Sequence, residues 1–462
     1  MIKKKKTTAR KNRKSWKVVN PNAGGIDLAS EIHYAAIGHE DPDTDVRSFG
    51  ATTNELKKMA EWFRENGVNT IALEATGVYW IPPIQILESY GIEVLLVHPG
   101  HVRILKGKKT DVKDSQWLQK LHTFGLLEGA FRPSPDAGVL RSYMRRRDTL
   151  VKMSTKHILH MQKALDQMNV RVHRAVTDIS GKTGLKIIKA ILGGQRDPLS
   201  LGKLRHGTCK LSAEEMAENL NGDFREEHLF SLRQSLAQYE FTQEQILECD
   251  DTVSKFLLQY RPKELKKLTP AMIKKLNRKS DKSRNTFNFD GKTMAEYLVG
   301  VDLTTIPGFR SGSVLKILSE TGWTLKEFPT PHHLASWLGL CPGSDTSGGK
   351  SKSGKTRRSS SRAAEAFRMA AQSIHRSQDP LADFYRRMKA RMGPAQAITA
   401  TAHKMVRIFY KMVTDKVEYD PTLIARDAKK EKEMKIRRLK KIASSLGWGL
   451  VDEDGVIHDG VV

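Results

Sequence analysis

Apolar and polar residues in the first quarter of the chain follow the periods of a mixed strand and helix domain. Short alternating or continuous apolar runs predict strands, because successive side chains of a strand point to opposite faces. Apolar residues that recur every three or four positions, as in Leu56, Met59 and Phe63, predict helices. Glycine after a helical run, as at Gly67, marks its end. The predicted strands are 26–30, 32–38, 46–51, 70–75 and 92–97, and the predicted helices are 54–65, 81–90 and 112–124.

The rest of the chain is predicted to be mainly α-helical. Residues 138–175 fit one long basic helix, 184–192 a shorter helix, and 230–260 an amphipathic helical or coiled-coil spacer. Residues 261–290 are rich in lysine and lack a period, which indicates a linker. Helices are again predicted at 313–320, 363–376, 381–392, 395–413 and 425–442. The predicted domains are a basic arm (1–18), an α/β domain that includes the long basic helix (19–224), a helical spacer with a basic linker (225–300), a mainly α-helical C-terminal domain (301–416) and a basic helical tail (417–462).

The charge balance favours a polyanionic partner. Lysine and arginine number 78 against 52 acidic residues, which gives a net charge of +26, and nucleic acid is the commonest polyanion. Cys209, Cys249 and Cys341 are far apart and form no CxxC pair, so the sequence indicates neither a zinc site nor a disulfide framework. No apolar run is long enough to span a membrane, and the basic N-terminus lacks the apolar stretch of a signal peptide. We therefore expect a bacterial cytoplasmic, nucleoid-associated protein.

Four carboxylates fall where the predicted elements would bring them together. Asp27 lies in the first strand, Glu74 ends the fourth, and Asp111 and Asp114 share one face at the start of the last helix. Three strands, then helix, strand, helix, strand and helix is the order of an RNase H-like sheet, which places ligands at strand ends. Carboxylates gathered without cations repel each other, and their hard oxygens select Mg²⁺ or Mn²⁺. The pattern therefore predicts metal-assisted phosphoryl transfer on nucleic acid.

Each of these residues also has a simpler interpretation. Any single acid fits a solvated surface carboxylate, and Asp111 fits a helix N-cap. Tyr79 and Trp80 fit base stacking, but Trp80 equally fits the core. The basic residues that we expect to contact nucleic acid are Lys108, Lys109, Arg145, Arg146, Arg147, Lys350, Lys352, Lys355, Arg357 and Arg358.

Two further segments lie in the C-terminal domain. Ile306-Pro307-Gly308 before a predicted helix resembles half of a helix-hairpin-helix, whose backbone amides bind phosphate. Pro-Gly before a helix is also an ordinary turn. Residues 343–361 are dense in Gly, Ser, Lys and Arg, which predicts a flexible segment.

Several motifs together resemble one family. Gly25-Ile26-Asp27, residues 73–79 and residues 109–114 resemble the three N-terminal motifs of the DEDD insertion-sequence transposases, the bridge-RNA-guided recombinases. Downstream, Ile306-Pro307-Gly308, residues 338–342 and Ser347-Gly348 resemble the C-terminal domain of that family. The resemblance spans roughly residues 22–200 and 301–415. Arg310 stands where the family has a second glycine, and residues 357–362 depart from its Ser-Lys-x-Gly segment.

The resemblance implies a RuvC-like domain joined to a serine transposase domain. The acids that would bind metal and act in catalysis are Asp27, Glu74, Asp111 and Asp114, and the nucleophile would be Ser347. A covalent phosphoserine intermediate, strand exchange and a structured bridge RNA that pairs with target and donor DNA are implied as well. We also expect a homo-oligomer, either a dimer or a tetramer.

From the residues alone, the role of Ser347 stays open. A serine in a Ser/Gly-rich loop fits a flexible connector, and Ser344, Ser351 and Ser353 are close competitors. A serine hydroxyl needs a base or a metal to become a good nucleophile, and no His-Asp pair is evident nearby, so metal held by the acids would have to activate it.

Our hypothesis is an RNA-guided DNA recombinase of a mobile element. One alternative is a metal-only nuclease of the Holliday-junction resolvase type, in which Ser347 is inert. The other alternative is a non-catalytic scaffold that binds nucleic acid.

Overall fold

The protein, studied as a computed structural model, divides into two compact units, residues 1–132 (unit 1) and 133–462 (unit 2). The domain boundaries predicted from the sequence, which assign residues 133–224 to the first domain, stay a prediction. None of the helices in the described residues combines the length and the apolar character needed to cross a membrane. The structure describes residues 17–38, 45–75, 77–99, 110–260, 274, 285–343, 345–348, 350–354, 356–359, 361–424, 428–448, 450–451 and 457–458.

The described residues of unit 1 form five strands and three helices: β1 (Ala23–Asp27), β2 (Ile32–Ala36), β3 (Val46–Gly50), α1 (Thr53–Glu65), β4 (Thr70–Glu74), α2 (Ile81–Ser89), β5 (Glu93–Val97) and α3 (Asp111–Thr123). The strands form one sheet in the order β3-β2-β1-β4-β5. β1 and β3 pair antiparallel with β2, whereas β1–β4 and β4–β5 are parallel. This confirms the RNase H-like order that the sequence predicts.

Two adjacent glycines let helices approach both faces of β1. A Cβ atom on Gly24 would lie 2.7 Å from the ring of Phe63 in α1. A Cβ atom on Gly25 would lie 2.3 Å from the backbone nitrogen of Gln119 in α3. Because successive residues of a strand point to opposite faces, α1 and α3 cover opposite faces of the sheet. The core on the α1 side includes Ile26, Leu56, Met59, Phe63, Ile71 and Leu73.

Unit 2 begins with two long helices, α4 (Pro135–Gln167) and α9 (Glu226–Gln259), of 33 and 34 residues. They pack antiparallel, because Arg147 pairs with Asp250 and, about two turns further along α4, Ser154 accepts a hydrogen bond from Gln243. Four shorter helices lie between them in sequence: α5 (Val172–Ala175), α6 (Lys182–Leu192), α7 (Pro198–Gly202) and α8 (Ala213–Leu220). Whether the long pair acts as a coiled coil stays a prediction.

The predicted helix 138–175 is wrong at its C-terminal end. α4 stops at Gln167, and Asn169 adopts a left-handed conformation with φ of 59°, which is typical of a helix terminus. Val170 and Val172 then turn into an apolar core shared with α6 and α9. The packing of α5–α8 against the ends of the long helices therefore overrides the helical period of the sequence.

The C-terminal part of unit 2 is mainly helical, as the sequence predicts. Its elements are α10 (Gly291–Val299), α11 (Ser311–Thr321), α12 (Pro331–Trp337), β6 (Asp345–Ser347), β7 (Lys350–Ser353), α13 (Arg362–Ser373), α14 (Pro380–Met392), α15 (Pro394–Asp415), α16 (Ala428–Ser445), β8 (Leu450–Val451) and β9 (Ile457–His458).

Ion pairs join α4 to α11 and α13. Arg145 donates to both carboxylate oxygens of Glu320, at 2.8 and 2.7 Å. Asp148 pairs with Lys316 at 2.8 Å and with Arg362 at 3.5 Å. Arg141 also pairs with Glu320, at 3.3 Å, and the side chain of Glu320 is only 6% exposed. Loss of both arginines would therefore leave a buried charge uncompensated, which is strongly destabilising. These pairs fix the two C-terminal helices on α4.

A buried histidine makes the stability of unit 1 sensitive to acid. His122 in α3 is 5% exposed, and its Nε2 lies 2.9 Å from Oγ1 of Thr70. Burial lowers the pKa of His122 to about 4. The unfolded chain, with an ordinary pKa near 6.5, therefore binds this proton first as the pH falls. The stabilisation due to neutral His122 is complete above about pH 6.5 and is lost as the pH approaches 4.

We expect the free energy of opening of α3 to fall by about 2–3 kcal/mol between pH 7.5 and pH 4.5 through this group. The measurement is hydrogen-exchange mass spectrometry of the peptide that spans α3. His122→Gln removes the titrating group, so its opening energy should change less over the same range. Equal pH dependence in the variant and the wild type would contradict this assignment.

Candidate active site

Two of the four predicted acids lie at adjacent strand ends. Asp27 ends β1 and Glu74 ends β4, and the parallel register pairs Ile26 with Leu73 just before them. Neighbouring strands are about 4.8 Å apart, so Asp27 and Glu74 lie on adjacent strands at the same end of the sheet. By the alternation along each strand, Asp27 shares the face of Gly25, which is the face that α3 covers.

The course of α3 brings the other two acids to the same end of the sheet. The carbonyl oxygen of His122 accepts from Asn20, Gln119 donates to the carbonyl oxygen of Ala23, and Ser115 lies beside Gly25. Residue numbers therefore increase along β1 while the numbers of the α3 residues that contact them decrease, so the strand and the helix run in opposite directions. Continuing this trend places the first turn of α3, with Asp111 and Asp114, near the end of β1 that carries Asp27.

The cap of α3 separates the roles of its first residues. Thr110 is the N-cap, and its side chain accepts a hydrogen bond from the backbone nitrogen of Lys113 at 3.3 Å. Asp111 is therefore the first helical residue and not the cap, and it is exposed, whereas Asp114 is half-buried. Asp114 precedes Ser115, whose carbonyl oxygen would lie 2.5 Å from a Cβ atom on Gly25. A glycine at this point of β1 thus permits the close approach of the helix that carries Asp114.

We call Asp27, Glu74, Asp111 and Asp114 the acidic edge. Their carboxylate oxygens are ligands that fit a divalent cation. Carboxylate oxygens are the ligands that Mg²⁺ and Mn²⁺ prefer, and a bound cation would offset the repulsion between neighbouring acids. Among the described residues, however, no three His, Cys, Asp or Glu side chains lie close enough to hold one ion. The geometry therefore brings the acids to one end of the sheet without forming a complete ligand set. The predicted contacts Lys108 and Lys109 lie outside the described residues.

Of the two aromatic residues that follow β4, Trp80 packs against the core and Tyr79 lies at the surface. Trp80 packs against the core on the α1 side and donates its Nε1 hydrogen to the carbonyl oxygen of Gly77 at 3.1 Å. Tyr79 is 44% exposed. Of the two residues considered for base stacking, only Tyr79 presents a largely accessible ring.

The predicted nucleophile lies in a β-hairpin. β6 and β7 pair antiparallel with Ser347 opposite Lys350, and Gly348 between them has φ of 58°. A pair of glycines is typical of the tight turn of a hairpin. Where the sequence predicts a flexible segment, the described residues therefore contain two paired strands, and the left-handed backbone of Gly348 begins the turn between them. Of the competing serines, Ser351 and Ser353 lie on β7, and Ser344 is outside the described residues.

The base of this serine hairpin (residues 345–353) is held closed. Pro342 and Thr356 form an antiparallel bridge. Gly339 has φ of 67°, and a Cβ atom there would lie 2.8 Å from the Cβ of Ser359. Glycine is thus required twice, for the left-handed backbone and for the close approach of the second arm. Among the predicted contacts here, Lys350 and Lys352 lie on β7, Arg357 and Arg358 are exposed beyond it, and Lys355 is outside the described residues.

The three arginines of α4 have different environments. Arg145 pairs with Glu320, and Arg146 is exposed. Arg147 is 6% exposed, pairs with Asp250 and lies with its guanidinium carbon 4.3 Å from the ring centre of Phe287. A phosphate could not reach this buried guanidinium without breaking the ion pair. The placement of Arg147 therefore indicates a structural role, whereas Arg145 and Arg146 are both exposed.

The Ile306-Pro307-Gly308 segment follows a short 3-10 helix (Leu303–Thr305) and lies between α10 and α11 in the chain. Gly308 has φ of 84°, and a Cβ atom there would lie 2.6 Å from the carbonyl oxygen of Ala370. Arg310 has an extended backbone with φ of −122° and is exposed. The tight position of the turn is therefore Gly308, and arginine at 310 is tolerated.

Comparison with known proteins gives two matches. The family model of DEDD transposases of the IS110 type, described as Transposase, matches residues 24–170. The model described as Transposase IS116/IS110/IS902 family matches residues 302–386. A search of the curated proteins found no match. The first matched region contains the acidic edge, and the second contains the serine hairpin.

The two matched regions together cover half of the chain. The first is a DEDD domain, which implies an RNase H-like fold and typically uses divalent metal ions, in agreement with the sheet of unit 1. Both models describe transposases, which act on DNA. The chain therefore belongs to the IS110-type DEDD transposases and is a DNA transposase of a mobile element.

Proposed function

We propose that this transposase is an RNA-guided DNA recombinase that forms a phosphoserine intermediate. The observation that carries the proposal is the presence, in one chain, of an acidic edge on an RNase H-like sheet and a serine beside the glycine turn of a clasped hairpin. The net charge of +26 supports binding of both DNA and a structured RNA. RNA guidance itself rests on the likeness to the bridge-RNA-guided recombinases.

In this proposal the acidic edge would hold a divalent ion to which the scissile phosphate binds. Asp27, Glu74 and Asp114 would hold Mg²⁺ or Mn²⁺, with Asp111 on the exposed side of the same helix turn. A bound divalent ion supplies positive charge beside the phosphate, where negative charge builds up during the reaction. The strand ends fix Asp27 and Glu74, and Gly25 lets α3 bring Asp114 toward them.

Ser347 is the proposed nucleophile. Its Oγ attacks the phosphorus of a DNA phosphodiester, and the bond from phosphorus to one deoxyribose oxygen breaks. The serine loses its proton, and the leaving oxygen takes one up as a free hydroxyl. Because the new ester keeps the phosphodiester bond energy, a hydroxyl of another strand can reverse the step and join to it. This chemistry exchanges strands without an external energy source.

The test is to detect the protein–DNA ester directly. Wild-type protein is mixed with labelled target DNA, Mg²⁺ and RNA transcribed from the non-coding sequence that flanks its gene, and is then run on a denaturing gel. We expect a slow band that collapses on protease digestion and is absent without the RNA. A free nick without this band would indicate attack by water, as in a metal-only nuclease. A protease-sensitive band that forms equally well without RNA would overturn the RNA guidance but keep the serine mechanism.

A further inference from the structure

Tyr34 lies directly opposite Asp27 in the sheet of unit 1. β1 and β2 pair antiparallel, and their register places Asp27 opposite Tyr34 and Gly25 opposite Ala36. Residues that lie opposite one another in an antiparallel pair point to the same face of the sheet, with about 4.5–5.5 Å between their Cβ atoms. Asp27 points to the face that α3 covers, so the side chain of Tyr34 points to that face as well.

The row of side chains that contains Asp27 and Tyr34 continues on both sides. β1 and β4 pair in parallel up to the residue before each acid, so Asp27 and Glu74 lie side by side. In the other direction, Tyr34 lies opposite Ser48 of β3. Across four neighbouring strands this face therefore carries a row of polar side chains, which we call the polar row: Ser48, Tyr34, Asp27 and Glu74.

The sequence neighbours of Tyr34 and Ser48 point to the opposite face. Ala35 belongs to the apolar core on the α1 side. The guanidinium carbon of Arg47 lies 5.3 Å from the ring centre of Trp62 in α1. Because side chains alternate between the two faces along a strand, these contacts place Tyr34 and Ser48 on the α3 side, in agreement with the pairing register.

α3 lies over both β1 and β2. Its Gln119 donates to the carbonyl oxygen of Ala23, at the start of β1, and to that of Gly38, beyond the end of β2. Since β1 and β2 are antiparallel, these two carbonyls mark the same end of the strand pair. The first turn of α3 therefore lies toward the other end, where Asp27 and Tyr34 are. Tyr34 is thus part of the same end of the sheet as the acidic edge.

The surroundings of Tyr34 fit a contact with substrate better than packing in the core. The apolar cluster on the α3 side includes Ala72 of β4 and Val97 of β5, whereas Tyr34 lies on β2, on the other side of β1. Tyr34 and Asp27 are both half-buried, so both remain within reach of a DNA strand at this end of the sheet. A tyrosine hydroxyl donates one hydrogen bond, which is the interaction that a phosphate oxygen accepts.

We infer that the hydroxyl of Tyr34 donates a hydrogen bond to a non-bridging oxygen of the scissile phosphate; this inference rests on the proposed function of the acidic edge. The carboxylates themselves repel a phosphate, and a divalent ion that they hold would draw it to this end of the sheet. An O–H donor beside Asp27 would then contact the phosphate from the β2 side. Hydrogen bonds to charged groups are stronger than those between neutral groups, so this contact would orient the phosphate for attack.

The first test combines Tyr34→Phe with a change in the DNA. The variant keeps the ring and loses the hydroxyl, so single-turnover cleavage should slow about 10- to 100-fold, as for loss of a hydrogen bond to a charged group. In a second substrate, sulfur replaces one non-bridging oxygen at the cleavage point, as each of the two diastereomers, with Mn²⁺ as the metal. Sulfur accepts hydrogen bonds weakly. One diastereomer should therefore slow the wild type more than it slows Tyr34→Phe, in which the donor is already absent.

The matched control is Tyr90→Phe. Tyr90 is the C-cap of α2, three residues before β5 begins, and its hydroxyl donates to Glu61. It therefore lies toward the opposite end of the sheet from the polar row, and its variant should cleave both substrates as the wild type does. A thermal melt checks that both variants are folded.

The second test requires no catalysis. A photoreactive p-azidophenylalanine in place of Tyr34 is illuminated in the complex with guide RNA, labelled target DNA and Ca²⁺, and the same residue in place of Tyr90 is the control. We expect a cross-link to the strand that is cut from position 34, and much less from position 90.

Three outcomes would each overturn the inference: a wild-type cleavage rate in Tyr34→Phe, equal slowing by sulfur in variant and wild type for both diastereomers, or equal cross-linking from positions 34 and 90. Failure of the serine mechanism gives a different result. Cleavage without a protein–DNA ester that is nevertheless slowed in Tyr34→Phe, with the same loss of the sulfur effect, would identify water as the nucleophile and keep the phosphate contact.

Discussion

Asp27→Asn is expected to abolish DNA cleavage while leaving the protein folded. The substitution keeps the shape of the side chain at the end of β1 but removes one negative charge and one strong oxygen ligand. Charge stabilisation by a metal at a phosphate is worth several kcal/mol, and each 1.36 kcal/mol is a factor of ten in rate. We therefore expect the cleavage rate in Mg²⁺ to fall by about a thousandfold or more, measured on labelled DNA under single-turnover conditions.

Glu93→Gln is the matched control for this substitution. Glu93 begins β5 and is exposed. In the parallel register of β4 and β5 it lies opposite Thr70, at the start of β4, whereas Glu74 lies at the end of β4. Its loss of charge should leave the cleavage rate within about twofold of the wild type. Thermal melts should show both variants folded. If Asp27→Asn cleaves at the wild-type rate, the acidic edge holds no catalytic metal, and the scaffold alternative gains support.

The fold of unit 1 could be predicted because each of its elements has a local signal. The apolar alternation around Ile26 and Ile71 marks strands, the spacing of Leu56, Met59 and Phe63 marks a helix, and Gly67 ends it. Strand order then follows from the few topologies that such an order of elements allows. The acids could be placed at one end of the sheet because strand ends are fixed once the order is known.

The features that could not be predicted depend on contacts between distant residues. Arg147 carries the same local signal as Arg146, and only the carboxylate of Asp250, 103 positions away, makes it a buried structural residue. The need for glycine at Gly25 likewise comes from α3, whose Ser115 and Gln119 approach β1 from far along the chain. Neither the periodicity nor the charge of a short segment contains this information.

The serine hairpin shows the same limit at closer range. Its composition of Gly, Ser and Lys is also that of a flexible linker. The hairpin differs from a flexible linker because of Gly339. The left-handed backbone of Gly339 and its lack of a side chain allow Ser359, in the segment after β7, to pack closely against it and close the base of the hairpin. Once the ends are held together, the left-handed backbone of Gly348 can turn the chain from β6 towards β7. A serine that composition alone would assign to a linker thereby acquires a defined position in the backbone.

Ser347→Ala should remove both DNA cleavage and the covalent protein–DNA band. If the hydroxyl of Ser347 attacks phosphorus, an alanine offers no oxygen to form the ester, so the loss should be complete within detection. Removing one hydroxyl removes no apolar surface from the protein, so the free energy of unfolding should change by no more than about 0.5 kcal/mol. The measurement is the denaturing gel with labelled target DNA, guide RNA and Mg²⁺, together with a thermal melt.

Ser351→Ala and Ser353→Ala are the matched controls, because these serines lie on β7 of the same hairpin, and Ser344→Ala tests the remaining competitor. All three variants should keep the band and the cleavage. If one of them loses the band while Ser347→Ala keeps it, the nucleophile is that serine, and the hairpin keeps its role. If Ser347→Ala cleaves efficiently and the wild type gives no band, water is the nucleophile. The acidic edge would then act alone, as in a metal-only nuclease, and no strand exchange through a serine ester would occur.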